Sequence, residues 1–156
     1  MNATITSKTN TSNPPEHWKK EETVFTGDDL IDAYVKGKEE GKDEFLKILA
    51  KQFNDNIVIA TSVSEKLLEE AEKLNIKFDG IRIKAEGITK FIALFLTNEV
   101  DFISDKFRRI YTLSRKLKNQ SESASFYITF SFIPVTNNLN EKSLSSDGFF
   151  LKYEKE

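Results

Sequence analysis

The chain has 156 residues, a net charge of −2 and a pI near 5.6, with 38% hydrophobic and 31% charged residues. That length suits one domain, and the near-balanced charge gives no global pull toward nucleic acid or an anionic membrane. Cysteine is absent and His17 is the sole histidine, so disulfides, thiolate catalysis and Cys-ligated zinc are excluded, and a Ser-His-Asp triad would depend on one residue in a polar segment.

Residues 1–22 are rich in Asn, Thr, Ser and Lys, contain Pro14-Pro15 and show no apolar periodicity. They read as a disordered or loosely attached tail, dispensable for folding. His17-Trp18 is its one feature, with Trp18 a candidate partner contact if it does not fold back onto the domain. The rest of the chain, 23–156, reads as a single α+β domain.

Thr26-Gly27-Asp28-Asp29 resembles a capping box with acids at the helix start, and predicts a long helix over 26–53. Leu30, Ile31, Tyr34 and Val35 form one apolar stripe on it; Phe45, Leu46, Ile48, Leu49 and Phe53 form another. Asn54-Asp55-Asn56 reads as turn chemistry. Ile57-Val58-Ile59-Ala60, apolar at every position, reads as a strand covered on both faces. Ser62-x-x-Glu65 then opens a helix carried by Val63, Leu67, Ala71 and Leu74.

A second strand follows over Lys77 to Lys84, with Ile81 and Ile83 inward and Arg82 and Lys84 outward. Glu86-Gly87 makes a turn, and Thr89 to Leu96 is a third strand, again apolar on both faces. Asn98 is an N-cap for a helix whose expected buried stripe is Val100, Ile103, Phe107, Ile110, Tyr111, Ser114 and Leu117. Ser125 to Ile133 is a fourth strand, 134–147 a polar loop, and 148–154 a short C-terminal strand.

The order across 56–134 is β-α-β-β-α-β, which predicts a ferredoxin-like sandwich with an extra N-terminal helix and a short C-terminal strand. In that topology the first and third strands are central and the second and fourth lie at edges, with two helices on one face. The third strand then needs cover on its other face, and the 26–53 helix is the expected cover, within its own chain or exchanged with a partner. The fifth strand could pair beside the fourth and extend the sheet.

Chemistry-bearing patterns are sparse. Asp101 and Asp105 could hold a cation, but Arg108 and Arg109 follow at helical spacing, so the acids read as helix-start charges paired with later bases. No Gly-rich loop joins a strand to a helix. The helix between Glu99 and Lys118 has more bases than acids, so Arg108, Arg109 and Arg115, with Arg82 and Lys84, are candidate phosphate contacts of a nucleic-acid-binding module using the basic face from Lys106 to Lys118. The aromatic signature of RNA-binding sheets is missing.

No segment reaches the roughly 18–20 apolar residues that span a bilayer, and the start lacks a secretory pattern, so the expected location is the cytoplasm. Lysine outnumbers arginine by 19 to 4, and 11 Asn are present, a composition of AT-rich coding sequences in bacteria or mobile elements. The leading expectation is a non-catalytic protein-interaction or oligomerisation domain, with a protein partner or a homo-oligomer and contacts through Trp18, Tyr34 and Phe45. No cofactor, metal or catalytic residue is assigned. A carboxylate-metal enzyme ranks third.

Overall fold

The third apolar run, in β3 (Lys90–Thr97), is the centre from which the rest is built. A computed structural model describes residues 15–20 and 43–154 of the chain. Along β3, Phe91, Ala93 and Phe95 point to one face and Ile92, Leu94 and Leu96 to the other, as the two-residue period of a strand demands. Both sets enter apolar clusters, one on each side of a five-stranded sheet.

The strands are β1 (Trp18–Lys20), β2 (Phe78–Ala85), β3, β4 (Tyr127–Pro134) and β5 (Phe149–Tyr153). Their order in the sheet is β1-β5-β2-β3-β4, antiparallel throughout except for the parallel pair β3 and β4. One cross-sheet row reads Trp18, Tyr153, Ile81, Phe95, Phe132, and all five side chains meet the helix-side core. Two bulges adjust which face is served. Asp79 is an extra residue between the paired Phe78 and Gly80, and Phe78 lies edge-on to Phe95 at 4.8 Å. Phe150 is extra between Leu151 and Phe149, so Phe150 and Leu151 both join the helix-side core while Phe149 joins the opposite one.

Helices α1 (Asp43–Lys73) and α3 (Phe107–Ser121) cover one face. A single turn, α2 (Glu99–Phe102), precedes α3, capped by Asn98, whose side chain accepts from the Asp101 amide. The other face is covered by the connection between β4 and β5, which holds α4 (Glu141–Ser146). Its Val135, Leu139 and Leu144, with Phe149 from β5, pack over Leu94, Leu96, Ile92 and Ile133.

The molecule is α+β, but the ferredoxin-like order does not form. Ile57 to Ala60, expected as the first strand, lies inside α1. Burial shows why. Phe53, Ile57, Ala60, Ser64, Leu67 and Ala71 are buried at spacings of three and four, the period of a helix face, whereas Val58 is 52% exposed and Ile59 is also exposed. Tertiary packing outweighs the β preference of the branched run. The Asn54-Asp55-Asn56 turn is absent for a related reason. Asp55 pairs with Lys51 one helical turn back at 2.6 Å. Asn56 is buried and its amide donates to the carbonyls of Ile88 (2.8 Å) and Ser125 (2.9 Å), tying the helix to two loops.

Other expectations need correction. The second strand, expected at an edge, is the middle of the five, because β5 pairs with its outer side and not beside β4. The helix carrying Phe53 lies on the same face as α3, with Phe53 stacked between Phe91 (5.9 Å) and Phe150 (6.2 Å), while the opposite face is covered by 135–149. The first part of the expected 26–53 helix, including Tyr34, lies outside the described residues. In the Asn98-capped segment Val100 and Ile103 are 76% exposed, since the chain breaks between α2 and α3 and the stripe loses its phase. Within the expected tail, residues 15–20 are attached: Trp18 is 4% exposed, meets Tyr153 edge-on at 5.3 Å and donates from Nε1 to the Glu65 carboxylate at 2.7 Å.

Two substitutions test these anchors. Trp18→Ala is expected to lower unfolding free energy by about 3 kcal/mol, the scale of aromatic truncation in a core; an unchanged denaturant midpoint would show that β1 adds nothing. Asn56→Leu should cost about 1–3 kcal/mol despite its apolar character, because two carbonyls lose their donor; equal or higher stability would remove the tethering role.

Candidate interaction surface

The outer side of β4 is the most distinctive surface. Its sequence, Tyr-Ile-Thr-Phe-Ser-Phe-Ile-Pro, contains no charge. The Tyr127 amide donates to Thr89 and the Val135 amide to Thr97, both at 2.7 Å. Alternation along the strand therefore points the odd-numbered backbone groups toward β3 and those of Ile128, Phe130 and Phe132 outward. Among the described residues no strand pairs with that outer side. Its ends are closed: Phe126 exchanges backbone bonds with Ser123, and Pro134 has no N–H to offer, a residue suited to an open edge.

The side chains around this edge are aromatic. Phe132 sits 5.4 Å from both Phe107 and Tyr111 of α3, and Phe130 sits 5.9 Å from Phe95. Residues 129–133 are half-buried and Tyr111 is exposed. At the start of the strand Lys118 donates to the Tyr127 hydroxyl at 2.7 Å and lies over its ring. That bond, then the Thr129 hydroxyl, holds the phenol below its ordinary pKa.

The residues singled out from sequence do not converge. Trp18, a candidate partner contact, is buried in its own domain; Phe45 is on α1 with its ring partly exposed, and Tyr34 is outside the described residues. The five candidate phosphate contacts fall on three surfaces. Arg82 is 4% exposed on the face away from α1 and α3. There it donates to the Ile81 carbonyl (3.2 Å) and the Glu141 carboxylate (2.9 Å), and its Nε has no partner among the described residues. It folds over Gly80, where a Cβ would stand 2.9 Å from the guanidinium. Lys84, on that same face, lies over the ring of its cross-strand neighbour Phe149 at 5.2 Å. Arg108 and Arg109 line a cleft of about 440 Å³ between α3 and α1, with Glu70, Lys73, Leu74, Thr112 and Leu113. Arg115 lies one turn from both Tyr111 and Lys118, on the β4 flank of α3.

Asp101 is a structural acid. It accepts from the Lys77 amide (3.1 Å) and from Asn98 Nδ2 (2.9 Å), and the Lys77 bond foremost holds its carboxyl below the usual range. Asp101 and Asp105 gain no third ligand: no group of three acids or histidines that could hold a metal occurs among the described residues. No helix among them is long and apolar enough to cross a membrane.

The outer side of β4 is absent from the residues picked out by sequence, although the uncharged run at an edge position was the signal for it. Against known proteins, the chain matches no family model, no curated protein and no solved structure.

The Asp101 bonds predict a pH effect. A carboxyl depressed in the folded state adds stability at neutral pH that is lost as pH falls below about 4, its unfolded range. Asp101→Asn should therefore lower the thermal midpoint at pH 7 more than at pH 3. Equal losses at both values would contradict the assignment.

Proposed function

We propose that this protein is a non-catalytic interaction domain that binds a protein strand along the outer side of β4. The observation that carries the reading is the uncharged, aromatic-flanked edge at Ile128, Phe130 and Phe132. Natural sheets protect such edges with charges, bulges or covering segments; an edge without them is a template for another strand. Strand addition supplies main-chain hydrogen bonds for affinity and side-chain pairing for selectivity. The half-buried Phe130 and Phe132, with Tyr111 beside them, give the apolar surface at which binding energy concentrates. The five candidate phosphate contacts are dispersed, and two of them are engaged with Glu141 and Phe149, so they support no competing surface.

The test uses the full chain as bait beside a Thr129→Lys/Ser131→Lys variant, which places charges beside the edge without touching the helix-side core. Partners captured by the parent should be lost from the variant while its thermal midpoint stays within a few degrees. Capture of the same proteins by both, in the same amounts, would refute binding at this edge.

A further inference from the structure

The edge of β4 is complementary to itself. We infer that its occupant is a second copy of this chain, paired antiparallel across a two-fold axis at Phe130; this rests on the reading of β4 as a binding edge. In that register Phe130 faces its own counterpart, and Ile128 faces Phe132 of the other copy. Every outward N–H and C=O of these three residues then gains a partner. The stops coincide as well. Phe126, whose backbone groups are taken by Ser123, and Pro134, which has no N–H, lie at equal distances from Phe130 on either side. The register places each opposite the other, so the ladder ends where neither strand can continue it. A shift of the axis by two residues would leave outward groups of one strand facing a stop on the other.

The side chains fit the same register. On the face away from the long helices Thr129 meets Ser131 of the other copy, a pair of hydroxyl residues that suits cross-strand contact, and Tyr127 meets Ile133. On the helix side Phe130 meets Phe130. No pair opposes like charges, the usual obstacle to self-pairing, because the strand has none. The two sheets would join into one of ten strands with the four long helices on a single face.

The chain has no cysteine, so introduced thiols report without background. Thr129 and its expected partner Ser131 form a non-hydrogen-bonded pair, the geometry in which side chains come closest. The Thr129→Cys and Ser131→Cys chains are prepared separately, mixed and oxidised. Light scattering of the unmodified chain should give twice the 17.9 kDa monomer mass, and the mixture should cross-link several-fold more than either variant alone. A monomer at all concentrations overturns the proposal, as does a dimer without preferential cross-linking in the mixture. If the chain is monomeric but the edge variant still loses captured proteins, a different protein occupies β4 and only the second-copy assignment fails. If capture is unaffected too, the binding edge itself is wrong.

Discussion

Strand β3 can rest against water on neither side. Six apolar residues in succession fill both of its faces, and that single constraint sets the layers around it. On one side the two long helices bring Phe53, Ile57, Phe107 and Ile110 against Phe91, Ala93 and Phe95. On the other, a connection that reads as a polar loop folds Leu139 and Leu144 over Leu94 and Leu96. The loop can serve as cover because its few apolar residues are placed where the sheet needs them, and its polar residues cap α4 and face water. Arg82 follows from the same layering. Its strand lies in the middle of a sheet covered on both faces, so a residue that alternation sends outward becomes buried, supported by Glu141.

Much of this was legible and some was not, for identifiable reasons. The hairpin of β2 and β3, the Asn98 cap, and strands β4 and β5 are governed by local patterns, namely two-residue alternation and turn and capping chemistry. All four appear within a residue or two of their expected bounds. The segment 54–60 is governed by contacts far away in sequence. Nothing near Asn56 announces that its amide will meet Ile88 and Ser125, and without those carbonyls Asn-Asp-Asn is a turn signal. A run of Ile, Val, Ile and Ala is ambiguous between strand and helix when taken alone. The helical spacing from Phe53 through Ala71 resolves the ambiguity only when the run is read together with both flanks.

The interaction surface was harder to read than the fold. Sequence reasoning favours residue types that carry chemistry, so it selects an isolated Trp, two aromatic residues of an expected helix and five bases. Trp18 is consumed by packing, and Arg82 by a half-buried ion pair. The outer side of β4 depends on backbone groups, which every residue possesses and no residue type marks. Its sequence trace is an absence, a strand without charge, and this gains meaning only once the strand is known to lie at the rim. Position in the sheet was the missing quantity, since β5 docks against β2 and, among the described residues, no strand pairs with the outer side of β4.

The pairing of β1 with β5 has a kinetic consequence. Trp18 and Tyr153 are neighbours in the sheet but stand more than a hundred residues apart along the chain. Closing so long a loop carries an entropic cost that local hairpins avoid. During synthesis β1 leaves the ribosome first and must wait unpaired until nearly all the described chain has followed. The hairpin of β2 and β3 and the crossover through α3 to β4 can form early. Because β1 pairs only with β5 among the described residues, its ladder cannot form before β5 has been made. Among the described residues the first strand made pairs only with the last, and it forms the edge opposite β4.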